Sequence, residues 1–200
     1  RTMDHEVVSI PDGVEVIATD TNVHHELVDS AYNDRVATCE SGVAYFDTVL
    51  EGSVQSLRDV PIDAFEAHQA ALPETVRKRV RHVLTENERV REAASALRGS
   101  DLERVGDLLS ASHVSLRNDY QVSVDELDAV VSIANDLEGV YGSRMTGAGF
   151  GGCVLCLVRS EVAATASETI RETYADHTGI APDVYRCGPD NGLRRHDPVG

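Results

Sequence analysis

Four glycines, at positions 147, 149, 151 and 152, fall within six residues of the run Ser143-Arg-Met-Thr-Gly-Ala-Gly-Phe-Gly-Gly-Cys-Val-Leu-Cys156. A stretch so poor in Cβ atoms lets backbone N–H groups turn inward and approach an anion closely, with phosphate as the leading ligand. Gly147, Gly149 and Gly152 also satisfy G-x-G-x-x-G. That dinucleotide fingerprint needs a strand before it and a helix after it. Here Cys153 to Val158 reads as a buried strand and the preceding pattern, Ser123 to about Leu137, is helical, so the dinucleotide context is absent. A tight connection or bulge between two strands stays open beside the phosphate loop.

Upstream, Val14 to Thr19 is β-branched and partly alternating, and reads as a strand. From Asn22 the apolar period becomes 3.6, with Leu27, Ala31, Val36, Cys39, Val43 and Phe46 roughly along one face. This predicts a helix from Thr21 or Asn22, both capping types, to about Leu50. His24, His25 and Glu26 would diverge by about 100° per residue around it and read as solvated first-turn groups, not as a metal cluster. Tyr32 lies between Ser30 and Asn33. That polar setting suits either a half-exposed structural tyrosine or a ring laid against a polar ligand that its hydroxyl can bond. Arg35 and Glu40 read as a charged face or a structural pair.

Val60-Pro61 and Leu72-Pro73 break the chain around a short helix at Asp63 to Ala70, and Pro73 then opens a helix that Gly99 closes after Arg98. Within it His82, Glu86, Asn87 and Arg89 form a polar cluster; the spacing favours a helix–helix hydrogen-bond network over a general acid/base pair. Asp101 caps the next helix, with Leu102, Val105, Leu108 and Leu109 facing the core and His113 as an interhelical residue, to about Tyr120. Ser123 and Glu126 have the spacing of a capping box for a helix with Leu127, Val130, Val131 and Ile133 inward. Beyond the glycines come a strand at Val154 to Val158, an alanine-rich helix from Ser160 to about Tyr174, and a strand at Asp183 to Cys187. The pattern predicts an α+β fold, an antiparallel sheet covered by helices on one face, with a helical insertion. Residues 1–12 read as the tail of something upstream, 13–200 as the domain proper, and the last dozen residues as a surface tail.

Two hundred residues with 42% apolar content can bury one sizeable core. A net charge of −16, with Lys78 the sole lysine, repels nucleic acid and anionic membranes, so neither is an expected partner. The same acidity fits a protein that folds at high salt, where self-repulsion is screened. No run approaches the ~20 apolar residues that span a bilayer, and a soluble, cytoplasmic protein is expected. Cys39, Cys153, Cys156 and Cys187 are too sparse for a disulfide scaffold. Cys153 and Cys156 on a strand would point to opposite faces, so all four are expected as buried thiols and no metal ligand is assigned.

Several stretches together resemble the galactokinase branch of the GHMP kinase superfamily. Gly142-Ser-Arg-Met-Thr-Gly-Ala-Gly-Phe-Gly-Gly-Cys153 resembles that family's third motif, with Ala148 where glycine is more usual. Asn22-Val-His-His-Glu-Leu, Ser30-Ala-Tyr-Asn-Asp-Arg35 and Cys39-Glu40 resemble its N-V-x-H-x-L…S-x-Y-x-x-R…C-E helix. Arg81-His-Val-Leu-Thr-Glu-Asn-Glu-Arg89 resembles its H-V-x-[ST]-E-N-x-R segment, and Ser112-His113, Ser115-Leu-Arg-Asn-Asp-Tyr120 and Glu126-Leu-Asp128 supply a fourth match.

The resemblance implies the ferredoxin-like C-terminal domain of a GHMP kinase and ATP-dependent phosphorylation of the anomeric hydroxyl of galactose with Mg²⁺. It places Gly147, Ala148, Gly149 and Gly151 beside the ATP phosphates, or bracing the phosphate loop of an N-terminal domain, and Tyr32 against the sugar. No catalytic residue is assigned in this chain, since the family's base belongs to that N-terminal domain; Asp4 lacks the base's context, and Arg1, Thr2 and Met3 resemble the strand end shortly after it. The 200-residue chain alone is therefore expected to show no turnover. A kinase for an N-acetylated hexosamine or arabinose, and a non-catalytic sensor of sugar and ATP, are the alternatives.

Overall fold

A computed structural model describes residues 6–24 and 28–188. The expectations for Arg1 to Met3, Asp4, His25 to Leu27 and the last dozen residues lie outside these. Strand β1 (Val14–His24) leads into α1 (Val28–Val49), α2 (Ile62–His68) and α3 (Glu74–Arg98). Then come α4 (Leu102–Ser115), ending in a π-helical turn at Leu116–Tyr120, and α5 (Asp125–Asn135). Strands β2 (Val140–Met145) and β3 (Gly151–Arg159), helix α6 (Ala163–Thr178) and strand β4 (Asp183–Cys187) complete the order. The four strands form one antiparallel sheet in the order β2-β3-β1-β4.

β3 is central and buries Val154, Cys156, Leu157 and Val158. Successive strand residues point to opposite faces, so such a run needs cover on both. Val154, Cys156 and Val158 join Ile17 in a core with Leu127 and Val130 of α5 and Ala166 and Ile170 of α6. Leu157 turns the other way and meets Val14 and Val105 of α4. Helices thus cover both faces, which corrects the one-face expectation. Residues 46–84 close a further small core, with Phe46 against Leu57, Phe65 and Val80, and this is the helical insertion.

Three boundaries differ from the sequence reading for identifiable reasons. The strand continues through Thr21 and Asn22, where a helix start was expected, because both side chains stitch strands together. Thr21 Oγ1 donates to the Gly152 carbonyl at 2.9 Å, and Asn22 Nδ2 donates to the Ala181 carbonyl at 2.9 Å and to the Asp183 carboxylate at 3.2 Å. Asn22 takes a left-handed φ of 56° where the β1–β3 register shifts. Ser123 does not build a capping box: α5 starts after Val124, and the Ser123 hydroxyl donates to Asp128 at 2.6 Å. Strand β2 has no span in the sequence reading, although a connection between two strands stays open there for the glycine run.

β2 exists because α4 can lie directly on it. A Cβ on Gly106 would fall 1.9 Å from the Tyr141 carbonyl oxygen, and one on Gly142 would fall 2.2 Å from the Gly106 oxygen. The two glycines let helix and strand backbones touch, so Gly106→Ala should lower unfolding free energy by about 3 kcal/mol. Gly99, at φ −81° with no neighbour nearer than 3.5 Å, should accept alanine and gain about 0.5 kcal/mol. Denaturant unfolding of the two variants checks this opposite pair of signs.

Candidate functional site

The glycine run forms the loop of the β2–β3 hairpin. Thr146 N–H donates to the Cys153 carbonyl at 2.8 Å and closes the hairpin, while Phe150 N–H donates to the Val122 carbonyl at 2.7 Å and ties the loop to the segment before α5. Gly147, Gly149, Gly151 and Gly152 all have φ between 85° and 120°, and Phe150 sits at 59°. Gly149 is pressed: a Cβ there would lie 2.4 Å from the Val122 oxygen. Gly147 and Gly152 have nothing within 4 Å of a built Cβ, so backbone conformation, not crowding, selects glycine there. Ala148 is not among the positive-φ residues, which is why a side chain is tolerated in the middle of the run.

Residues Thr146 to Cys153 line a concavity of about 440 Å³. The N–H groups of Gly147, Ala148 and Gly149 have no backbone acceptor among the described residues. Three successive donors at an open, Cβ-poor surface make a partial positive patch on a chain of net charge −16. Such a patch can receive the oxygens of an anion without any lysine.

Both flanks of the loop are fixed by buried polar groups. Met145 N–H donates to His113 Nδ1 at 3.3 Å, so Nε2 carries the ring proton and donates it to Asp128 at 3.0 Å. Burial raises the Asp128 carboxyl, but hydrogen bonds from His113 and Ser123 and the Arg117 charge outweigh it and hold it below the usual range. Arg144 bonds the Met145 carbonyl through Nε at 2.9 Å and Glu86 through Nη1 at 2.8 Å. Glu86 also accepts from Ser112 at 2.6 Å and Arg89 at 2.7 Å. Those bonds and the Arg144 and Arg89 charges overcome burial and lower its carboxyl.

On the other side, Arg35 of α1 donates to the carbonyls of Tyr120 (2.9 Å) and Gln121 (2.7 Å), and its guanidinium lies 5.5 Å from the Phe150 ring centroid. Tyr120 stacks on His82 at 4.6 Å, and burial together with the neighbouring Cys39 thiol pushes its hydroxyl up to about 12. Tyr32, one turn before Arg35 on α1, is 55% exposed and within electrostatic reach of Tyr120.

Comparison with known proteins fits this geometry. Residues 93–176 match the family model "GHMP kinases C terminal". The matched segment and the fold are those of a GHMP kinase C-terminal domain. Over 195 residues it is 40% identical to a galactokinase of Roseiflexus sp. (strain RS-1), covering 98% of this chain and 50% of that protein. The crystal structure of Lactococcus lactis galactokinase complexed with galactose superposes with a TM-score of 0.84 at 34% identity, over 90% of this chain and 46% of that one. A mevalonate kinase of L. major, in complex with R-mevalonate, shares the fold alone, with TM-score 0.58 and 17% identity over 94% of this chain and 46% of that one. The chain thus spans about half the length of the relatives it matches.

The glycine loop joins β2 to β3, and Tyr32 lies on α1, on the same helix as Arg35. His82, Glu86 and Arg89 form the expected helix–helix network, with Arg144 of β2 added; Asn87 instead faces a groove beside Arg58 and Arg91. Arg35 pairs with Asp34, not Glu40. Val36, expected inward, is 39% exposed. Only Cys156 of the four thiols is fully buried; Cys39 and Cys153 are half-buried and Cys187 is exposed. Arg79 and Gln121 went unread, because neither period nor motif marks them; Phe150 lies inside the third motif, but nothing in the motif points to its bond with Val122.

Burial pushes the His82 imidazole down to about 4, with Glu86 and Asp119 pulling it up and Arg89 and Arg144 pushing it further down. An unfolded histidine titrates near 6.5, so on acidification the unfolded chain takes up this proton first and the folded state loses stability between about pH 6.5 and 4. The loss reaches about 2 kcal/mol near pH 5. His82→Gln should flatten the fall in denaturant midpoint between pH 7 and pH 5; an unchanged slope would contradict it.

Proposed function

We propose that this chain supplies the C-terminal half of an ATP-dependent sugar 1-kinase that converts galactose to galactose 1-phosphate. In this reading the amides of Gly147, Ala148 and Gly149 meet triphosphate oxygens and Gly151 sets the loop's turn. Tyr32 lies against the sugar. What supports it is the set of three adjacent N–H groups without backbone partners, in a chain 40% identical to a galactokinase. Phosphoryl transfer is driven by positioning and charge neutralisation, and preorganised backbone amides supply both. Residues 13–200 act here as the GHMP kinase domain, joined to an N-terminal domain that brings the base removing the sugar's anomeric proton.

ATP suits the loop, whose open Cβ positions leave room for a polyanion. No group of three or more His, Cys, Asp or Glu placed to hold a metal occurs among the described residues. Mg²⁺ is assigned to the nucleotide, since that ion is commonly held by substrate phosphates with one or two carboxylates and needs no such group. No described helix is long and apolar enough to cross a membrane. With galactose and ATP as small-molecule partners, a cytoplasmic enzyme is proposed, and its acidity is read as an adaptation to high salt.

Full-length protein assayed with ATP at high salt should turn over galactose faster than its N-acetyl derivative or arabinose. Tyr32→Phe should raise the KM for galactose about fivefold through one lost hydrogen bond, leaving the KM for ATP in place. Gly149→Ala puts a Cβ into the Val122 carbonyl and should raise the KM for ATP at least about tenfold. Preference for another sugar would overturn the substrate, and an unmoved ATP KM would overturn the loop's role.

A further inference from the structure

Two arginines converge on the segment that holds the glycine loop. Arg79 of α3 is 2% exposed. Its Nη1 donates to the Asp119 carbonyl and its Nη2 to Gln121 Oε1 at 2.8 Å, while Nε has no partner among the described residues. Arg35 takes the next two carbonyls, those of Tyr120 and Gln121. The carbonyl after those, Val122, accepts Phe150 N–H. Four successive carbonyls, 119 to 122, are therefore fixed, three by guanidinium groups and the fourth by the loop itself.

This segment is where α4 and its π turn end, and the last carbonyls of a helix lack partners along their own chain. Cations there also face the negative end of the helix dipole. Gln121 is left-handed, at φ 56°, so the chain reverses at the point the arginines grip. A buried guanidinium with no carboxylate partner among the described residues is costly to keep, and a hydrophobic side chain would fill the space at less expense. What the charge adds is geometry. Any movement of Val122 passes to the loop, since Gly149 touches its carbonyl and Phe150 is bonded to it.

We infer that Arg79 and Arg35 are positioning residues that set the shape of the glycine loop through the 119–122 segment. The inference deepens the proposed function, and only its kinetic readout rests on that reading. Full-length protein carrying Gln121→Asn keeps a residue that tolerates a left-handed φ but shortens the acceptor below the reach of Arg79. Amide hydrogen exchange at Phe150, whose N–H is the one the loop bonds to Val122, should quicken roughly tenfold while that of Val154 to Val158 stays put. The KM for ATP should rise by a similar factor with that for galactose little changed, and Gln121→Glu, which restores an acceptor, should return both. Arg35→Lys, a cation that cannot fork to two carbonyls, should act like Gln121→Asn and serves if that variant does not fold. Unchanged exchange in the loop, or equal quickening throughout β3, would overturn the inference. Faster loop exchange with an unmoved KM for ATP would support the positioning and overturn the nucleotide reading.

Discussion

The hydrogen bond from Phe150 N–H to the Val122 carbonyl is the joint on which the candidate site depends. It is made in the tightest space of the loop, where Gly149 leaves no room for a Cβ against the same oxygen. A loop of glycines is otherwise costly in conformational entropy. Anchored at Phe150 and closed at Thr146, this one is held in a single shape while the amides between keep their donors free. Rigid backbone with unspent N–H groups is what an anion-binding surface requires.

Around that joint the fold places buried polar groups in an otherwise acidic protein. His113 and Asp128 orient the last amide of β2, and Arg144 and Glu86 fix the Met145 carbonyl. Both networks cross from helices to the hairpin, so the loop is not a detached surface feature. It is the end of two strands clamped between α3, α4 and α5. The contact of Gly106 with Gly142 serves the same end by bringing α4 onto β2. In this way an acidic chain presents a locally positive site through dipoles and shielded arginines rather than surface lysines.

Much of this was legible in the sequence. Asp101 does cap α4, accepting from Arg104 N–H at 3.1 Å. Leu127, Val130 and Val131 point inward, and β4 falls at Asp183–Cys187 as the pattern predicts. The unbroken apolar run of β3 announced a strand buried on both sides, although the one-face sheet did not follow that signal through. What stayed hidden depends on distant partners. Thr21 and Asn22 have the chemistry of helix caps but use it across strands. Ser123 and Glu126 have capping-box spacing, yet the hydroxyl finds Asp128 first. β2 carries Gly142 and Ser143 where a strand former would be expected; α4 explains the glycine, and Ser143 donates to Asn135 of α5 at 2.8 Å. Arg79 looks like any cation of a basic helix face until Gln121 folds onto it.

The similarity to galactokinases and the loop's geometry converge on one chemistry by different routes. Identity extends along nearly the whole chain, while the geometry concerns a handful of amides. The most direct measurement is a crystal structure of the full-length protein with galactose and a non-transferable ATP analogue. The account predicts phosphate oxygens within hydrogen-bond distance of the Gly147, Ala148 and Gly149 amides, with the Phe150 to Val122 bond kept. Phosphates bound elsewhere, with that loop facing solvent, would contradict it.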